Sequence, residues 1–349
     1  MDRREFLKST AAATAAITGA AAETLPAPAT SKGISELRLA VAYEDGFAGP
    51  ADWAHRLARS IGELSNGRLH VVPTFGIANA SGRLAAGDAD LCFDAVDTLL
   101  DAHRGFAYFA GLPGGHGMDP QHLQSWISVG GGQALWDDLA GEVGIKPLLA
   151  AHTGSQSLLL ATERTDSMSA LAGRKTHVRG LARDVARGLG LGLDTAAVST
   201  GQLATAMQRG EVQIAECGGA IASFAAGLPT VARYSAGTSI NRNGTAMYLG
   251  IRRGLWDSFG ATEQALLTSA AAREYHLSLA EEEAHRHLLY PAPAPAYVWP
   301  IAAELAHAIQ RVAAAVIAHA ASADAKSRRI AASYAAFGHP AAGEEDATA

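Results

Sequence analysis

Lys175, His177 and Arg179 occupy alternate positions of Lys175-Thr176-His177-Val178-Arg179. Side chains two apart on an extended chain share a face, so a strand over 175–179 would place these donors side by side. A guanidinium fork grips both oxygens of a carboxylate, which makes this face an anion site if it borders a cleft. On an edge strand the same charges would only oppose aggregation. Catalytic patterns are missing: the sequence has no G-x-S-x-G elbow, H-E-x-x-H, Walker loop or C-x-x-C. Gly114-Gly115-His116-Gly117 could offer backbone donors to an oxyanion but has no nucleophile to serve, and reads as a loop. Gly188-Leu189-Gly190-Leu191-Gly192 follows a helical pattern instead of a strand, unlike a dinucleotide loop, and reads as a helix end. In Glu281-Glu282-Glu283 and His285-Arg286-His287, neighbours one and two apart do not converge on one ion, so a solvated helix face is expected. Cys92 and Cys217 allow one bridge at most, and two free, partly buried thiols are expected.

The elements that must hold these residues alternate between strand and helix. Leu37, Leu39 and Val41 alternate with Arg38 and Ala40 as in a half-buried strand. Trp53, Leu57, Ile61 and Leu64 then form one helical face, closed by Asn66-Gly67. Leu69 to Val72 and Asp90 to Val96 are the next strands, giving βαβ units on a mostly parallel sheet. Strands over Thr176 to Arg179 and Val212 to Glu216, with helices near Leu181 to Leu189 and Gln202 to Gln208, suggest a second α/β lobe. Leu266, Ala270, Leu277, Ala284 and Leu288 describe one face of a long helix. After the Pro291 to Pro295 break, Ile301 to Val316 and Ile330 to Phe337 mark two more helices.

The chain of 349 residues is long enough for two domains. A net charge of −6, from 28 Lys and Arg against 34 Asp and Glu, gives no footprint for nucleic acid. No run of eighteen apolar residues occurs, so no membrane insertion of the mature chain is expected. Residues 1–22 resemble a twin-arginine export signal: Arg3-Arg4 precede Phe6-Leu7-Lys8 and a weakly apolar stretch ending at Ala20-Ala21-Ala22. The expected location is the periplasm.

Longer motifs resemble one family. Val129-Gly130-Gly131-Gly132-Gln133-Ala134-Leu135-Trp136-Asp137-Asp138-Leu139 is similar to the G-G-G-Q-x-L-W-D-x-L helix start of TRAP-transporter periplasmic solute-binding proteins of the dicarboxylate-binding type. Thr153-Gly154-Ser155-Gln156 resembles the T-G-x-Q strand, and Leu171 to Leu181 resembles L-K-G-x-K-x-R-I-P-G-L. Ala206-Met207-Gln208-Arg209-Gly210, Ile214-Ala215-Glu216 and the closing helix Ala325 to Phe337 follow in family order. The resemblance implies an α/β, two-lobed periplasmic binding protein, type II-like, with a long bracing helix and C-terminal helices. The boundaries then read as signal 1–22, linker 23–35, lobe I 36–153 and lobe II 154–242. A return strand to lobe I at 243–260, the bracing helix at 261–290, C-terminal helices at 296–340 and a tail at 341–349 complete the chain.

The implied function is delivery of a small organic acid to the membrane subunits of a TRAP-type secondary transporter, without catalysis. Departures from the family concentrate in the cleft. The family's carboxylate-gripping arginine falls on His177, its tryptophan after A-A-E on Cys217, and the aromatic of its P-F-G loop on Gly114. A W-H-E-P stretch reads Ile240-Asn241-Arg242-Asn243. Arg179, two residues on, could replace the lost guanidinium, Arg242 could add a second, and the lost aromatics suggest a wider or wetter pocket. The candidate ligand set is Arg179, His177, Gln156, Arg242, Glu216, Cys217, Tyr43 and Gly114. No cofactor is implied beyond Na⁺ held with the ligand by Gln156 and Glu216, against which the nearby Arg242 counts. The alternatives are a periplasmic enzyme using His177, Cys217 and Glu216, or a sensor paralogue on the same fold.

Overall fold

The computed structural model describes residues 33–155, 158–193, 198–289 and 297–338. The export signal, Gln156, the Pro291 to Pro295 break and the tail at 341–349 lie outside them. The strands are β1 (Ser35–Val41), β2 (Leu69–Thr74), β3 (Leu91–Ala95), β4 (Ile145–His152), β5 (Leu160–Ala161), β6 (Lys175–His177), β7 (Gly192–Leu193), β8 (Ile214–Ala215), β9 (Tyr234–Ser235), β10 (Ala246–Arg252) and β11 (Tyr297–Val298).

They form two sheets. The first has order β2-β1-β3-β10-β4 and the second β11-β9-β5-β8-β6-β7. β1 runs parallel to β2 and β3, as two βαβ crossovers require. β10 returns from the second lobe and inserts antiparallel between β3 and β4. Its buried run explains a central position: six of its seven residues, Ala246 to Ile251, are buried. The second sheet is built from strands of two or three residues. β6 ends at His177, so the strand expected over 176–179 stops two residues short of Arg179.

The helix Pro50–Leu64 shows how local chemistry sets an element. Pro50 starts it without losing a needed donor, and the Asp52 carboxylate accepts the Gly49 N–H at 3.1 Å. Trp53, Leu57 and Ile61 face the core completely, whereas Leu64 is exposed. Left-handed Asn66 and Gly67 end it.

The long helix Ala261–His285 packs on β4 and on Pro50–Leu64. Its buried face is Leu266, Leu267, Ala270, Ala271, Glu274, Tyr275, Ser278 and Glu282. Leu277 is therefore only half-buried and Ala284 exposed, because two carboxyls share the inner face. Arg56 grips Glu274 bidentately, Nη2 to Oε1 at 2.6 Å and Nε to Oε2 at 2.7 Å, and also pairs with Glu281. Trp53 Nε1 donates to Glu281 Oε2 at 2.9 Å. Glu281 and Glu282 are thus tied into the interior instead of lying on a solvated face, because partners distant in sequence meet them there.

Glu282 Oε2 accepts the N–H of Ala220 at 2.8 Å, and burial pushes its carboxyl up to about 8. A carboxyl with a folded pKa above its unfolded value stabilises most at low pH, and that contribution fades as pH rises from about 4.3 through 8. Glu282→Gln is expected to flatten the decline in stability between about pH 5 and 8. Urea denaturation at several pH values tests this, and an unchanged slope would contradict it.

Cys92 and Cys217 are both free and buried. Cys92 lies mid-sheet within β3 opposite Gly250, where a Cβ would strike its sulfur. No helix among the described residues is long and apolar enough to cross a membrane.

Candidate functional site

A cavity of about 330 Å³ opens where the carboxyl ends of β1 and β3 meet the end of β6. Ligands favour this end of open α/β sheets. From the first lobe it is lined by Ala42, Tyr43, Glu44, Phe47, Gly76, Ala78, Asp94 and Thr98, and from the second by His177, Arg179 and 198–201. This volume is at the small end for ligand sites; Gly114 and Cys217, the positions of the lost aromatics, are not part of its lining.

Arg179 is the centre of its polar wall. The guanidinium reaches across to Asp97, Nη2 to Oδ1 at 2.9 Å and Nε to Oδ2 at 3.2 Å. Asp97 stands in the single-turn helix Val96–Leu99 directly after β3. The Asp97 side chain is 7% exposed and that of Arg179 37%. Asp97, with Tyr43 and Asp94, raises the pKa of Arg179, while burial works against that rise. Gly180 makes the approach feasible: its φ is +60°, and a Cβ there would press on the Cβ of Asp97 at 3.1 Å. A second bridge between the lobes joins Arg104 Nη1 to Asp184 Oδ2 at 2.8 Å.

Asp94 sits deeper and is 2% exposed. Its Oδ1 accepts the Ala95 N–H at 2.7 Å. Burial pushes its carboxyl up to about 6, against the pull of Arg179. Tyr43 stacks near Phe47 with ring centroids 6.0 Å apart, and burial raises its phenol strongly. Ser199 Oγ donates to Glu44 Oε1 at 3.4 Å across the mouth.

Of the sequence candidates, Arg179, His177 and Tyr43 come together on this cavity. The other described candidates stand elsewhere. Glu216 is buried, with Oε2 accepting the Ile240 N–H and Oε1 the Asn241 N–H, each at 2.7 Å. Burial pushes its carboxyl up to about 7 despite those bonds. It anchors the loop that returns to β10. Arg242 is exposed on that loop and outside the cavity lining. Gly114, with φ +70°, packs so tightly on Ala313 that no side chain fits, and its N–H donates to the Ile240 carbonyl at 2.7 Å. It holds the same loop from the other side. Cys217 is buried in the core, where burial pushes its thiol up to about 12. Gln156 lies outside the described residues. No cluster of three or more His, Cys, Asp or Glu that could hold a metal occurs among the described residues.

Sequence reasoning missed Asp94, Asp97, Thr98 and Glu44. A signal was there: two carboxylates in Leu91-Cys92-Phe93-Asp94-Ala95-Val96-Asp97, an apolar strand end where a ligand site is expected.

The sequence matches no family model and no curated protein. Solved structures do share its fold. A TRAP periplasmic solute-binding protein from Pseudoalteromonas atlantica, with bound sodium and pyruvate, is 20% identical over 87% of this chain and 94% of that one, with a TM-score of 0.79. One from Colwellia psychrerythraea, with bound calcium and pyruvate, is 21% identical over 88% and 95%, also at 0.79. A TRAP transporter solute binding protein from Bordetella bronchiseptica, with calcium and picolinate, is 17% identical over 87% and 91%, at 0.78. The chain has the two-lobed α/β fold of these proteins.

Proposed function

We propose that this chain is the extracytoplasmic solute-binding subunit of a TRAP-type transporter and takes up a small organic acid between its lobes. The observation that carries the reading is Arg179, a guanidinium held at the wall of a small cavity by a carboxylate from the opposite lobe. Nε and one Nη2 hydrogen serve Asp97, and among the described residues Nη1 and the second Nη2 hydrogen meet no other partner and can serve a ligand carboxylate. A ligand touching both walls binds the closed arrangement better than the open one, and so shifts the population toward closure. The pyruvate and picolinate in the structures above are small carboxylates that a cavity of this volume would hold.

Of the three groups an enzyme would use, His177 lines the cavity but Cys217 and Glu216 are committed elsewhere, which supports binding over turnover. The Cys217 thiol is held far from its reactive thiolate by burial, and both Glu216 oxygens serve the backbone. The test is a thermal-shift screen of the mature chain against small carboxylates. A ligand at 100 times its dissociation constant adds about 2.7 kcal/mol of stability. Melting unchanged by every carboxylate would reject the reading.

Export by the twin-arginine route belongs to the same proposal. Replacing Arg3 and Arg4 together by lysine should retain the precursor in the cytoplasm. Normal periplasmic levels of that variant, measured by cell fractionation, would contradict it.

A further inference from the structure

We propose, building on the solute-binding reading, that the ligand is not a plain carboxylate but carries a cationic group as well, with Arg179 taking its carboxylate and Asp94 its ammonium. The charges around the cavity lead there. Asp94 and Glu44 line it directly, and Asp97 is paired with Arg179 behind the wall. Among the described residues, Arg179 and His177 face these three carboxylates.

A plain carboxylate entering this space meets one guanidinium whose charge is already matched by Asp97, and then a second, buried carboxylate. Like charges brought together in a desolvated cavity oppose binding. An ammonium on the same ligand reverses the sign of that contact. Asp94 is suited to receive it: it is 2% exposed, lines the cavity and is oriented by the Ala95 N–H. Burial pushes it up to about 6, so it is largely ionised at neutral pH and a cation beside it would keep it so. Glu44, exposed at the mouth, adds attraction for the same group during entry.

Matched probe pairs test this by calorimetric titration at pH 7: pyruvate against alanine, 2-oxoglutarate against glutamate, and 3,3-dimethylbutyrate against its cationic isostere glycine betaine. In each pair that binds, the zwitterionic member should bind at least tenfold tighter. Asp94→Asn should weaken that member at least tenfold and leave the plain acid unchanged or tighter. Glu44→Gln, at an exposed position, should weaken the zwitterion about twofold to fivefold, and decides the matter together with the wild-type pairs if Asp94→Asn melts too low to titrate. Plain acids that bind tighter than their partners, with loss on Arg179→Ala, overturn the cationic contact and leave the solute-binding reading standing. The same holds if plain acids bind with uptake of one proton, seen as a dependence of the heat on buffer ionisation. Failure of every member of every pair to bind overturns both.

Discussion

Arg179→Ala is expected to weaken ligand binding by about 2–5 kcal/mol, a loss of roughly thirtyfold to several thousandfold. The size follows from where the guanidinium stands. It lines a cavity, is paired to a nearly buried carboxylate, and would meet its ligand in a space that excludes water on closure. An arginine on an exposed edge would contribute only about 0–1 kcal/mol. Arg242→Ala, on the exposed loop, should remain in that lower range. Calorimetric titration of both variants separates the two cases. Removing Arg179 also leaves Asp97 unpaired, so melting is recorded alongside and affinity compared at a temperature where each variant is folded. Full affinity in Arg179→Ala would remove this residue from the site.

The second large effect concerns stability. Arg56→Ala should cost about 3–5 kcal/mol, because it strips the partner from a Glu274 side chain that is 1% exposed. The Arg56 cluster joins the helix Pro50–Leu64 to the long helix Ala261–His285, so the loss falls on the contact that positions the long helix. Replacing Arg56 and Glu274 together by a well-packed apolar pair should cost much less than the single change, since the expensive state is a lone buried charge. Urea denaturation measures both. A single-variant loss under about 1 kcal/mol would show that Glu274 finds water or takes up a proton without penalty.

Periodicity made the first lobe readable. Trp53, Leu57 and Ile61 recur at helical spacing because one stripe of that helix is buried, and Leu37, Leu39 and Val41 alternate because β1 faces the core on one side. The C-terminal helices Ala302–Ser322 and Ala325–Gly338 were legible for the same reason. Arg179 was found from a strand period that the structure does not continue to that residue. It reaches the cavity because the chain remains near the mouth after β6 ends at His177 and turns at left-handed Gly180.

Buried carboxylates escaped because a carboxylate in a sequence reads as surface. Glu274 is buried by a partner 218 positions away, and Asp97 by one 82 positions away, separations that no local pattern encodes. Glu216, Gly114 and Arg242 were placed in the cleft by matching motif positions, but here they belong to one structural unit. Glu216 and Gly114 fasten the loop that carries Arg242, leaving that side chain on the outside.

If a small organic acid occupies the cleft through Arg179, the protein purified from the periplasm should carry it. Native protein would be exchanged into volatile buffer, unfolded, and its released small molecules identified and counted by mass spectrometry. One carboxylate-bearing molecule at up to one equivalent per chain is expected from the wild type, and its loss from Arg179→Ala prepared in parallel. Recovery of the same molecule at the same level from the Arg179→Ala protein, or release of a bound molecule with no acidic group, would contradict it.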